Sequence, residues 1–230
     1  MKLGIIGAME QEVETLLAQM TEKTCKERAG SHFYEGKLEG TEAVVVRCGI
    51  GKVNAALCAQ ILCDVFGVTH IVNTGIAGSL SNRLDIGDLV ISRDAMYHDF
   101  DCCHFGYEAG QVPGLPTAFA ADENLICLAQ KAVEQVHPGH SKLGRVASGD
   151  QFVSSDEQKR RIIAVTGALC TEMEGAAIAH TAFRNGVPFV ILRAISDKAD
   201  NSVQMDYPAF EQQAAHRCAA VTMTLAQMLK

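Results

Sequence analysis

The sequence has no excess of positive charge. Acids outnumber bases 27 to 20, and the formal net charge is −7. A surface of that sign is not built to bind phosphate backbones or anionic membranes, so nucleic acid is excluded as an expected partner. No C-x-x-C occurs among the nine cysteines, which rules out a zinc ribbon or a thioredoxin motif. Cys58, Cys63 and Cys127 lie in apolar stretches, where a free thiol acts as a small hydrophobe. Their odd number and scatter fit a reducing compartment. The seven uncharged residues between Lys2 and Glu10 are too few for a signal peptide. The run Val187–Leu192 is far too short to cross a membrane. A cytoplasmic location is expected. No repeat, low-complexity tract or linker divides the chain, so residues 1–230 are read as one domain. At that length a core forms without disulfide or metal staples.

What is present is an alternation of short apolar runs with helical patterns. Strands are expected at Lys2–Ala8, Phe33–Leu38, Ala43–Cys48, His70–Thr74, Asp88–Ser92, Arg145–Ser148 and Val187–Ile195. Helices are expected at Met9–Met20, Lys52–Phe66, Asp122–Val136, Met173–Arg184 and Tyr207–Leu229, with Asp122 as an N-cap. The pattern predicts an α/β fold: a single-domain, three-layer α/β/α sandwich around a central mixed, largely parallel sheet. Ligands bind such sheets beyond the carboxyl ends of their strands. Four junctions there carry candidate chemistry: Gly7–Glu12, Cys48–Lys52, Asn73–Ser79 and Arg193–Asp197.

Several familiar motifs are incomplete. Gly49-Ile-Gly51-Lys-Val-Asn54 imitates a dinucleotide fingerprint but has Asn54 in place of the third glycine, and no Walker A loop is present. G-x-S-x-G is absent, which argues against an α/β-hydrolase. Gly75 and Gly78 fit a close backbone approach to a ligand. Glu10, Glu12 and Glu14 open the first helix, where acids complement the dipole; Glu12 is the one placed to enter a cleft. Glu172 and Glu174 flank Met173 before a small-residue segment that reads as buried, a costly place for acids without a task. Asp197 follows the most apolar strand and reads as a turn residue or as a proton donor. Arg193 in that strand reads as half of an ion pair or as an electrostatic clamp. His98–His104 holds metal-ligand residue types without a recognised spacing and reads as an interface loop; no metal site is expected.

Taken in order, these stretches resemble the 5′-methylthioadenosine/S-adenosylhomocysteine nucleosidases of the nucleoside phosphorylase superfamily. The likeness spans the chain: Gly4-Ile-Ile-Gly-Ala-Met-Glu-Gln-Glu-Val13, Cys48–Ala56, Asn73–Gly78, Phe105–Gly114, Ser148-Gly-Asp-Gln-Phe152, Glu172-Met-Glu174 and Arg193-Ala-Ile-Ser-Asp197. The resemblance implies hydrolysis of an adenine–thioribose N-glycosidic bond through an oxocarbenium ion, without a cofactor. It implies Asp197 as acid at adenine N7, held by Ser196, and Glu12 as base on the attacking water with Arg193 nearby. Glu174 would bind the ribose hydroxyls, and Met9 and Met173 would pack on the sugar. Glu172 and Gly78 fall among its binding residues. Phe152 would stack on the base and the Val153 backbone would read its edge. Ile50 and Tyr207 would line the 5′ pocket. A homodimer is implied, its partner completing that pocket with Cys102, Phe105, Tyr107 and Pro113. This chain departs at Ile76, where the family often has Ser, and at Cys102 and Tyr207, where a small aliphatic and Phe are frequent. The last two make the 5′ pocket slightly more polar.

Three alternatives stay open on the sequence. A phosphorylase would need a cationic phosphate site, for which only Arg47 and Arg193 look placed, and Glu12 would repel the anion. A nucleosidase for another 5′-substituted adenosine, such as aminodeoxyfutalosine, would share the acids. A silent nucleoside-binding protein would be expected to have lost one of them.

Overall fold

In the computed structural model, which describes residues 1–199 and 207–230 (side chains of 207–209 excepted), alternate residues of the apolar strands enter two different cores. Strand β1 (Lys2–Gly7) sends Leu3 and Ile5 to one face and Ile6 to the other. Strand β4 (Thr41–Arg47) divides Ala43 and Val45 from Val44 and Val46 in the same way. Strand β10 (Phe189–Asp197) divides Val190, Leu192 and Ala194 from Phe189, Ile191 and Ile195. Both faces are covered, so the period-2 signal is hidden and the strands read as continuous apolar runs.

Helices α2 (Lys52–Asp64) and α5 (Gly175–Asn185) close one face with alanines, Cys58 and Leu62. Helices α1 (Glu10–Gln19), α3 (Glu123–Val136) and α6 (Tyr207–Met228) close the other. Asp122 caps α3 by accepting the N–H of Leu125 at 2.9 Å. The layered α/β fold is therefore as expected.

The sheet does more than lie flat between the layers. Strand β5 (His70–Ser79) pairs in parallel with β1 and with β10, and antiparallel with the short β9 (Cys170–Glu172). Strand β10 continues to β6 (Leu89–Tyr97), β6 to β8 (Ser141–Ser148), and β8 back to β9. Five strands thus close on themselves, and their ends converge on one rim. From β1 and β4 the sheet runs out through β3 (Ser31–Leu38) to β2 (Thr21–Arg28), and β7 (Phe119–Ala120) adds to β6.

Several boundaries differ from the sequence reading. Strand β5 does not end in glycines at Thr74 but runs through them to Ser79. Strand β2 was not expected, because Thr-Glu-Lys-Thr-Cys-Lys-Glu-Arg has no apolar alternation. It is exposed along its length, an edge strand whose lysines discourage pairing with another chain. Helix α4 (Asp156–Thr166) was also unexpected, since its sequence is strongly polar. Its signal was the cap, where Ser155 Oγ accepts the Gln158 N–H at 3.3 Å and the two side chains also bond. All nine cysteines are free, but Cys127 is exposed, unlike its apolar sequence neighbours. Among the described residues no helix is long and apolar enough to cross a membrane.

Candidate active site

The carboxyl ends of β1, β5, β9 and β10 border a cavity of about 230 Å³. Glu12, Glu172, Glu174, Arg193 and Asp197 all lie in its wall. The positioning of each begins in the backbone. Glu12 is the third residue of α1 and reaches back to the helix entrance. One oxygen accepts the N–H of Ala8 at 2.6 Å and of Met9 at 2.9 Å; the other accepts that of Ile76 at 3.0 Å. The side chain is thereby tied to two strand ends and is 2% exposed. Its neighbours turn outward: Glu10 pairs with Arg47 at 3.1 Å and Glu14 with His216 at 3.6 Å. One acid of the three enters the cleft, as the sequence reading singled out.

The glycines of β5 exist to admit these side chains. A Cβ at Gly75 would stand 2.8 Å from Glu12 Cδ and closer still to Glu12 Oε1 and Arg193 Nη1. A Cβ at Gly78 would stand 2.8 Å from the Ala199 Cβ and 3.0 Å from Asp197 Oδ1. The close approach expected at both positions is made by the protein's own side chains, within a strand rather than a loop. Ile76 between them acts through its backbone: its N–H serves Glu12, its carbonyl accepts from Arg193 at 3.3 Å, and its side chain joins the apolar core.

Arg193 is 1% exposed and surrounded by acids. Its Nη2 pairs with Glu172 and lies 3.6 Å from Glu174, and its Nη1 lies 3.8 Å from Glu12. Asn73 Oδ1 accepts a further bond at 2.6 Å. Burial alone would lower the guanidinium's pKa, but Glu172, Glu174 and Glu12 outweigh it and hold the group charged. The ion-pair reading of Arg193 describes this arrangement.

Glu172 accepts the N–H groups of Glu174 and Gly175 at 3.1 and 2.8 Å, plus the Ser148 hydroxyl and Arg193. It neutralises the N-terminus of α5 and orients Arg193. Three protein donors meet at its Oε2 and one at its Oε1, so it orients its neighbours while bordering the cavity. Glu174 differs. Among the described residues its backbone donor is the N–H of Gly51, at 2.9 Å, presented by a turn whose φ of 102° favours glycine. Glu174 is 4% exposed, and burial followed by the charge of Glu172 raises its pKa to about 7, against the pull of Arg193. Asp197 accepts the Ser196 hydroxyl at 2.9 Å and the Ala199 N–H at 2.6 Å, on a bulge at the end of β10.

The remaining expected residues divide. Met9, Ile50, Gly78, Phe152, Val153, Met173 and Ser196 border the same cavity. Cys102, Phe105, Tyr107 and Pro113 do not; the loop that bears them leaves Phe105 76% exposed. Tyr207 begins α6, and its side chain lies outside the described residues. Sequence reasoning missed Gln151, Thr171 and Glu211 in the wall. Thr171 and Gln151 sit inside stretches already singled out; Glu211, on a helix far along the chain, had no local signal. The dense His98–His104 stretch forms no metal cluster among the described residues. Instead Asp99 takes both a Lys52 ion pair at 2.7 Å and the Asp150 N–H at 2.8 Å, while Asp150 accepts the Lys52 N–H at 2.9 Å. This ties the Gly49–Lys52 turn to the segment that carries Phe152 and Val153.

The chain is similar to known proteins over its whole length. Residues 2–227 match the family described as Phosphorylase superfamily. A 5′-methylthioadenosine/S-adenosylhomocysteine nucleosidase from Staphylococcus carnosus is 41% identical over 228 residues, covering 99% of this chain and 100% of the relative. The crystal structure of a nucleosidase of that name from Colwellia psychrerythraea, in complex with adenine, superposes with a TM-score of 0.96 at 39% identity, covering 100% of this chain and 96% of that one. A futalosine hydrolase from Helicobacter pylori superposes at 0.93 with 33% identity, covering 99% and 97%. With the family match over residues 2–227, the full-length likeness and the shared fold in agreement, this chain belongs to the phosphorylase superfamily and, within it, to the 5′-methylthioadenosine/S-adenosylhomocysteine nucleosidases.

Proposed function

We propose that this enzyme hydrolyses the N-glycosidic bond of 5′-methylthioadenosine and S-adenosylhomocysteine, releasing adenine and the 5-thioribose product. The observation that carries the reading is the surplus of acid around one buried arginine. Glu12, Glu172 and Glu174 all lie within 3.8 Å of Arg193. A cavity preset to negative charge favours a ribosyl oxocarbenium ion over the neutral nucleoside that precedes it.

In this reading Asp197 donates its proton to adenine N7, so that the base leaves neutral. Ser196 and the Ala199 N–H keep its carboxyl aimed. Glu12 removes a proton from the attacking water. Its three backbone donors leave about one of its roughly four lone-pair positions for that water. Glu174 accepts the ribose hydroxyls beside the Gly51 N–H, and Met9 and Met173 flank the sugar. Phe152 covers the base while the Val153 backbone reads its edge. Arg193 holds the acids in register. Ile50 and Tyr207 would border the 5′ group. A homodimer would bring Cys102, Phe105, Tyr107 and Pro113 of a second copy to that end; their absence from their own chain's cavity and the exposure of Phe105 support this.

A phosphorylase reading fits less well. Arg47 is exposed, paired with Glu10, and lines a different cavity, while Arg193 is already surrounded by carboxylates. The likeness to futalosine hydrolase keeps a different 5′ substituent as the second reading. Adenine release from methylthioadenosine in phosphate-free buffer tests the proposal. Rapid release is expected, and Glu12→Gln and Asp197→Asn should each abolish it while the protein stays folded. Release only on adding phosphate would make the enzyme a phosphorylase. Release only from a futalosine-type nucleoside would move the substrate to the second reading.

A further inference from the structure

Glu211 is the acid of the cavity wall that the proposed chemistry leaves without a task. Glu12, Glu172, Glu174 and Asp197 are each fixed by backbone N–H groups. Glu211 is half-buried on α6, and its hydrogen-bond partner among the described residues is the Gln11 side chain. Burial, then the nearby charge of Glu12, raises its pKa, so a cation beside it would be welcome.

Its place in the cavity is defined by its neighbours. Gln11 Nε2 also reaches Met9 Sδ at 3.8 Å. Met9, Ile50 and Gln11 border a second, larger cavity of about 640 Å³, which shares Met9 and Ile50 with the first. Glu211 borders the first cavity and its partner Gln11 the second, so the pair stands where the two adjoin. Asp197 and Val153, where the base is proposed to lie, border the first cavity and not the second. Ile50, proposed to border the 5′ group, lines both cavities, so a chain attached there would run toward this junction.

Resting on the nucleosidase reading above, we propose that Glu211, with Gln11 orienting it, is a specificity residue that favours 5′ substituents bearing an ammonium group and disfavours those bearing only a carboxylate. An amino-acid thioether tail meets this requirement, and a methylthio group is indifferent to it. The contact forms in the bound substrate and in the transition state alike, so it acts on KM rather than kcat.

The test compares methylthioadenosine with a 5′-S-aminoalkyl and a 5′-S-carboxyalkyl thioadenosine of equal length, on wild type, Glu211→Gln and Glu211→Leu. The wild-type preference for the ammonium tail over methyl, as a ratio of kcat/KM, is expected to fall roughly five- to tenfold in both variants, the size of a half-exposed charge contact. The carboxylate-tailed compound should gain relative to methyl. Ratios within about twofold of wild type for both tails would overturn the assignment. The same three tails on adenosine analogues whose base is joined through carbon, which cannot be hydrolysed, give Kd values by calorimetry. The charge preference is then read even if no adenine is released, and failure of the nucleosidase reading is separated from failure of this one.

Discussion

Replacing Glu174 by Gln should stabilise the protein increasingly as the pH rises. The carboxyl is 4% exposed and its pKa is raised from 4.5 to about 7. The native state therefore holds a proton that the unfolded chain releases between those values. Where the native state binds more protons, stability falls as pH rises. The wild type loses stability through this window, and Glu174→Gln, which cannot ionise, does not. A raised carboxyl of this size contributes a difference of about 2–3 kcal/mol between about pH 5 and about pH 8. For a chain of this length that corresponds to a melting-temperature gap widening by roughly 5–10 °C. Urea or thermal melts of both proteins across that range measure it. Loss of the Glu174 hydrogen bonds adds a roughly constant amount to the difference between the two proteins, so the pH-dependent part is the diagnostic quantity. A gap that stays constant within about 0.5 kcal/mol would refute the reasoning, because it would mean that Arg193 keeps Glu174 ionised throughout.

Three further substitutions follow from the geometry. Gly75→Ala forces Glu12 and Arg193 apart; it should cost about 1–3 kcal/mol in a denaturant melt and reduce adenine release by roughly 100-fold or more, and near-wild-type activity would contradict the packing described. Asp99→Asn removes the charged acceptor of Lys52, whose burial is partial, and loosens the tie between the Gly49–Lys52 turn and the segment bearing Phe152; the expected signature is a KM raised severalfold with stability changed by only about 1 kcal/mol. Ser155→Ala removes the cap of α4 and should lower stability by about 1 kcal/mol while kcat at saturating substrate stays within about twofold.

How far the site could be read in advance differed from residue to residue. Asp197 ends the most apolar strand, Arg193 lies within it and Glu12 opens the helix after β1, so their closeness to strand ends was legible from local pattern. The glycines of β5 were legible as points of close approach, but not which side chains approach them. Nothing local says that the group approaching Gly75 is Glu12, 63 positions earlier, rather than a ligand. Glu172 and Glu174 looked alike in sequence. Their roles separate only because the entrance of α5 turns its N–H groups on Glu172, while the Gly51 turn reaches Glu174 from another strand end. Glu211 carried no signal, since a carboxylate on a mostly amphipathic helix is ordinarily a solvated one.

The amino-acid order by itself determined the alternation of strands and helices, the two-sided burial of the sheet, and the stretches where chemistry is concentrated. These depend on short-range periodicity, capping and the placing of glycine, each expressed within a few residues. Only the tertiary structure decided which acids face one another. The ring closed by β5, β10, β6, β8 and β9 brings strand ends far apart in sequence to one rim. There Arg193 meets three carboxylates at once, and the resulting charge balance separates an acid that positions from one poised to titrate. Electrostatic interaction in a buried site depends on distance and on exclusion of water, and neither exists until the strands have closed.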